Sequence, residues 1–254
     1  MSMPEPVWRA WIAQARRWEP AGIARLLSVI DNWPQRWPQI EHELLQAPAG
    51  AVGPHTRVVG VTGPPGAGKS TLLDKLLGNL VARGLRVAVL VVDPSSPFSG
   101  GAVLGDRTRI GEVAHHPRVF IRSVASRGAN GGLSDSTATM LGLLRALRFD
   151  LVIVESVGAG QSEVAIAGLT DFRVVLCPPG LGDDVQALKA GILEIADVLV
   201  ISKGDLPGSE VTESEMRSAL RLRRTGGCPA VIRASAASGL GVNELADLMA
   251  ARTR

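Results

Sequence analysis

The 254-residue sequence has no tyrosine, four phenylalanines, two cysteines and four lysines. Two cysteines, Cys177 and Cys228, supply neither a disulfide framework nor a tetrahedral metal site. Both lie beside apolar runs and read as small buried thiols, which fits a reducing, cytoplasmic setting. Long apolar runs are missing too. Those present, such as 87–92, have strand length and fall well short of the roughly 18 residues a membrane-spanning helix needs. No basic start followed by an apolar stretch marks a secretory leader. The net charge is only +3, and the arginines are interspersed with acids and carry no interleaved aromatics, so neither a nucleic-acid nor a membrane partner is expected.

The scarce lysines are informative by position. They are Lys69, Lys75, Lys189 and Lys203, and two of them sit where a compact ammonium is hard to replace by a guanidinium. The first closes Gly63-Pro64-Pro65-Gly66-Ala67-Gly68-Lys69-Ser70-Thr71. An apolar run leads into this stretch and an amphipathic one leads out, so it has the strand–glycine turn–helix context of a P-loop. Gly66 and Gly68 let successive N–H groups turn inward as an anion nest, and the following helix adds the positive end of its dipole. Lys69 can reach the terminal phosphates, Ser70 offers a hydroxyl to Mg²⁺, and Thr71 offers another to a phosphate.

Residues 1–50 differ from the rest and contain all five tryptophans. Short amphipathic helices are expected at 7–17, 22–32 and 39–46, punctuated by Pro20, Pro34 and Pro38. This N-terminal helical segment reads either as a brace on the main domain or as a partner or dimer surface. A linker is expected at 48–55. The P-loop domain, taken as 51–254, alternates strands (57–62, 86–92, 118–122, 151–155, 172–177, 198–203, 230–234) with helices (69–83, 106–115, 134–147, 162–168, 183–195, 210–225, 242–252). Near-continuous apolar strands between amphipathic helices predict an α/β fold with a mainly parallel sheet, buried on both faces, that binds phosphate beyond its carboxyl ends.

Other candidate residues fall at those ends. Asp93 follows the second apolar run and suits Mg²⁺ or its water shell, or a turn-forming Asp-Pro. Asp106 follows a glycine-rich loop and reads as a second metal-side acid, a helix N-cap, or both in turn. Four apolar residues deliver Glu155 to a strand end, where an acid is costly unless metal or a donor partners it. Gly158 and Gly160 follow, and Gln161 could orient water. Asp106, Glu155 and Gln161 all remain candidates for positioning the attacking water. Ser202-Lys203-Gly204-Asp205 ends the sixth strand and is similar to the Asn-Lys-x-Asp of G proteins. Its aspartate accepts from N1 and N2 of guanine, a donor pair that adenine lacks. Ser235-Ala236-Ala237 can offer backbone amides to the base oxygen. Residues 178–189, including Lys189, read as a helix start or a third nucleotide-sensitive loop.

Together GPPGAGKST (63–71), VDPSSPFSGGAVLGDRTR (92–109), VESVGAGQSE (154–163), PGLGDDVQALKAGILEIAD (179–197) and SKGD (202–205) resemble the MeaB/ArgK family of P-loop GTPases. The resemblance implies Mg²⁺-dependent GTP hydrolysis, GTP and GDP as ligands, a homodimer, and an adenosylcobalamin-dependent acyl-CoA mutase as partner. It implies a metallochaperone that gates loading of adenosylcobalamin and protects or reactivates the mutase. Lys69, Asp106, Glu155 and Gln161 would then serve catalysis, and Ser70, Asp93, Asp106 and Glu155 the metal. The chain departs from the family pattern at Ser202, where Asn is expected. A P-loop kinase and a nucleotide-dependent binding module with negligible hydrolysis are the rival readings. A metal-insertion GTPase lacks the His- or Cys-rich tract it would need.

Overall fold

The computed structural model describes residues 7–46, 56–93, 111–125, 135–156, 167–180, 195–221 and 229–251. In chain order these hold helices α1 (Val7–Arg16), α2 (Pro20–Asn32) and α3 (Trp37–Leu45), then β1 (Arg57–Thr62) and α4 (Lys69–Ala82). Next come β2 (Val87–Asp93), β3 (Val119–Ala125), α5 (Asp135–Ala146), β4 (Leu151–Ser156), β5 (Phe172–Cys177) and β6 (Val198–Ile201). The last are α6 (Ser209–Arg221), β7 (Ala230–Arg233) and α7 (Val242–Ala250). They fall into two compact units, Met1–Thr56 with Ser134–Asp150, and Arg57–Leu133 with Leu151–Arg254.

The first unit is helical. It takes in α5, which lies between β3 and β4 in sequence. The reason is visible at Gly142, where a Cβ would come within 2.9 Å of the Trp37 ring, so the indole lies flush on the α5 backbone. Trp18 Nε1 donates to the Leu147 carbonyl at 2.9 Å, and Arg16 Nη2 caps the end of α3 at the carbonyls of Glu43 (2.6 Å) and Leu44 (3.2 Å). Trp37 and Trp18 thus serve packing and capping inside this unit, and of the five tryptophans only Trp33 is among the exposed large side chains.

The second unit is a seven-stranded sheet in the order β3-β2-β4-β1-β5-β6-β7, parallel at every pairing. β1 is central, and the chain passes from β4 on one side of it to β5 on the other. That change of direction is where an open parallel sheet places its ligand. Alternate strand residues serve opposite faces. Val174, Leu176, Val198 and Val200 pack with Leu73, Leu77 and Leu245 of α4 and α7, whereas Val175, Cys177, Leu199 and Ile201 pack with Met216 and Leu220 of α6.

The expected helix 183–195 lies outside the described residues except at its last position, as does most of 162–168, and among the others one differs. Of 106–115, the described part is a 3-10 turn, Glu112–His115, followed by His116 in extended backbone (ψ 136°). His116 precedes Pro117, whose ring disfavours helical backbone one residue earlier.

At the amino end of β1, Arg57 Nη1 donates to the Leu248 (2.7 Å), Met249 (3.1 Å) and Ala251 carbonyls, and its guanidinium lies 4.3 Å from the Phe172 ring centroid. Burial lowers its pKa, and Asp171 and Asp197 oppose that shift. A cation on the last carbonyls of α7 satisfies groups the helix leaves open. Arg57→Ala is therefore expected to lower stability by about 1–3 kcal/mol in urea unfolding. An unchanged midpoint would contradict the capping role.

Candidate functional site: a phosphate loop and a base loop on one sheet edge

The loop between β1 and α4 crosses the carboxyl end of β5. At Gly63 φ is 147°, and a Cβ would stand 2.6 Å from the Leu176 carbonyl oxygen, so both conformation and clearance demand glycine there. Gly66 and Gly68 have φ of 75° and 85°, as an anion nest requires. Gly68 is the N-cap of α4, and its carbonyl accepts the first helical hydrogen bond, from Leu72 N, at 2.9 Å. Ala67 is fully buried beneath the loop, whereas Pro65, Gly66 and Thr71 face outward. Lys69 is buried, and its Nζ donates to the carbonyls of Gly63 (2.7 Å) and Pro64 (3.0 Å). The ammonium is thus held against the glycine loop, whose amides are the expected anion donors.

β4 lies beside β1 in register Val61 to Glu155. Glu155 is 5% exposed, and Ser70 Oγ donates to its Oε1 at 2.9 Å. Thr62 and Ser156 join their hydroxyls at 2.9 Å and staple the two strand ends together. The acid expected at a strand end is therefore beside the hydroxyl expected to share its metal. Among the described residues no three His, Cys, Asp or Glu side chains converge on one point. Mg²⁺ needs no such cage, because one or two protein oxygens complete a shell made mostly of phosphate and water. An anionic oxygen next to a hydroxyl is the donor chemistry that fits it. The Asp93 backbone ends β2, paired with Ala125, and its side chain lies outside the described residues, as do Asp106, Gln161 and Lys189 altogether.

Further along the same edge, β6 ends at Ile201. Ser202 N donates to the Cys177 carbonyl at 3.1 Å, and Lys203 turns away in left-handed backbone, φ 53°. Lys203 and Asp205 are exposed. The Ser202 hydroxyl is buried and has no hydrogen-bond partner among the described residues. Gly204 N donates to the Ala234 carbonyl at 3.0 Å, and a Cβ on Gly204 would meet Arg233 Cβ at 3.1 Å and Ala234 N at 3.2 Å. The 202–205 and 235–237 segments are thus fastened together. In the latter, Ser235 N donates to Leu240 O, and Ser235 Oγ accepts from the amides of Ala237 and Ser238, both at 3.2 Å.

Two residues that sequence reasoning passed over help to shape the site. Asp74 Oδ1 accepts from Gly111 N at 3.0 Å, tying residue 111 to the phosphate-loop helix. Ser209 donates to the Gly204 carbonyl at 3.0 Å. The sequence signal for Ser209 was a serine opening a helix after Pro-Gly, which reads as an ordinary start. Cys177, beneath this edge, is fully buried, and burial raises its pKa to about 12. A thiol that stays protonated is a poor nucleophile. Iodoacetamide at pH 8 should leave the Cys177 peptide unmodified in the folded protein and label it after unfolding, as mass spectrometry would read; labelling of the folded chain would contradict this burial.

A parallel sheet whose central strand runs through a glycine loop into a helix, with the loop's lysine turned back over it, defines a P-loop nucleotide-binding protein. The family model described as Methylmalonyl Co-A mutase-associated GTPase MeaB matches residues 23–253. The chain belongs to this family of P-loop GTPases. A Pyrococcus horikoshii protein whose name calls it a GTPase is 42% identical over 92% of this chain and 74% of its own. The Escherichia coli GTPase ArgK is 42% identical over 76% of this chain and 58% of its own, and the mouse methylmalonic aciduria type A homolog 42% over 77% and 49%. A crystal structure titled LAO/AO transport system kinase covers 96% of this chain and 74% of its own at 29% identity, with a TM-score of 0.74. The hydrogenase maturation factor HypB of Archaeoglobus fulgidus, at 21% identity and a TM-score of 0.57, shares the fold.

Proposed function

We propose that the chain couples GTP hydrolysis to the servicing of an adenosylcobalamin-dependent acyl-CoA mutase, gating cofactor loading and protecting or reactivating the enzyme. The observation that carries the nucleotide reading is the meeting of the phosphate loop, the Ser70–Glu155 pair and the Gly204–Ala234 junction along one carboxyl edge. In it the loop amides and Lys69 hold the phosphates. Ser70 and Glu155 hold Mg²⁺, with Asp93 and Asp106 as further metal-side acids, and the ion, when bound, offsets charge on the phosphate oxygens. Lys203 lies along the base, and Asp205 accepts from guanine N1 and N2. The Ala236 amide is assigned to the base oxygen, since those of Ser235 and Ala237 already donate elsewhere. The buried Ser202 hydroxyl gains a partner when nucleotide fills the site.

The mutase, the homodimer and a cytoplasmic location belong to this proposal. Support for the mutase comes from the family's description and from the name of the mouse relative. Among the described residues no helix is long and apolar enough to cross a membrane. The test is co-purification with cobalamin mutases, with and without a non-hydrolysable GTP analogue, alongside phosphate release from GTP. Recovery of a mutase that varies with nucleotide is the expected result. Phosphate passed to an acceptor in place of free phosphate would favour a kinase, and recovery of only a non-mutase partner would remove the chaperone role.

A further inference from the structure

We propose that Ser209 is a positioning residue for guanine selection. The inference rests on the reading of Asp205 as the base acceptor. Gly204 sits between two peptide planes, and Leu206 N donating to Lys203 O at 2.9 Å closes a turn over Gly204 and Asp205. The plane joining it to Lys203 is held by Gly204 N donating to Ala234 O at 3.0 Å. The plane joining it to Asp205 is held by Ser209 Oγ donating to Gly204 O, also at 3.0 Å. Lys203 is in left-handed backbone, and the turn bond still leaves the turn's central plane, which joins Gly204 to Asp205, able to flip about Gly204, whose torsions no side chain restrains. Ser209 removes that freedom.

The hydroxyl is itself well anchored. Ser209 is 3% exposed, and its amide donates to Leu206 O at 3.3 Å. It opens α6, which is clamped to β7 by Arg233 on Glu210 (2.8 Å) and Glu213 (3.2 Å), and by Arg217 Nη2 on the Val231 carbonyl (3.0 Å). Arg233 directly precedes Ala234, so one clamp fixes the supports of both peptide planes. Removing the hydroxyl leaves a buried carbonyl unpartnered and lets the plane carrying Asp205 swing.

Ligands that differ only at N2 isolate this role. Inosine diphosphate keeps N1–H and lacks the exocyclic amine, so comparison with GDP reports how well the carboxylate is aimed. In titrations of the full chain, Ser209→Ala should weaken GDP about three- to tenfold and inosine diphosphate no more than about twofold, shrinking the ratio between them. KM for GTP should rise with kcat unchanged, since the phosphate end is untouched. If Ser209→Ala does not fold, Ser209→Cys, a weaker donor of similar size, is read in the same way. Equal losses for both ligands, or no loss for either, would overturn the proposal. Wild-type protein that binds the two ligands equally would remove the Asp205 reading, and this inference with it.

Discussion

Replacing Lys69 by Met should lower GTP hydrolysis by about 10²–10³-fold while the chain stays folded. The wild-type ammonium is held at 2.7 and 3.0 Å from the Gly63 and Pro64 carbonyls, over the loop proposed to receive the phosphates. Little reorganisation is then needed for it to meet charge building on the transferring phosphoryl group. Methionine keeps much of the stem and removes the charge. Single-turnover phosphate release under saturating GTP, with a thermal melt as a control, measures the effect. A fall of less than about threefold would mean that this lysine does not face the reacting phosphate.

Asp205→Asn should exchange the preferred base. A carboxylate accepts from both N1–H and the N2 amine of guanine, whereas an amide accepts at one position and donates at the other. Xanthine carries a carbonyl where guanine has N2, so the amide matches it. GTP affinity should fall by about 10²-fold or more, and xanthosine triphosphate should become the better ligand. Competition against a fluorescent nucleotide reads both changes. Loss of both nucleotides alike would point to damage of the 202–205 loop, and an unchanged preference would place the base elsewhere.

These variants bear on residues visible in the sequence, and the fold was visible to a similar depth. Seven apolar runs lie where the seven strands lie, because a strand buried on both faces has little sequence other than aliphatic. Ends were less clear. The expected strand 198–203 stops at Ile201, since Lys203 leaves the ladder through left-handed backbone that no propensity signals. The glycine loop, Lys69, Ser70 and Glu155 were legible because each follows an apolar run by a fixed count. Ser209 and Asp74 were not, because their roles depend on which backbone atom, five residues back or far along the chain, comes within reach. The placement of α5 with the N-terminal helices was equally hidden, since it depends on an indole seated on Gly142.

The most direct measurement is a crystal structure of the chain with GDP and Mg²⁺. The β-phosphate is expected within the 63–68 loop beside Lys69, Mg²⁺ near Ser70 and Glu155, and the guanine edge on Asp205. A base turned away from Asp205, or phosphates bound apart from Lys69, would contradict this arrangement.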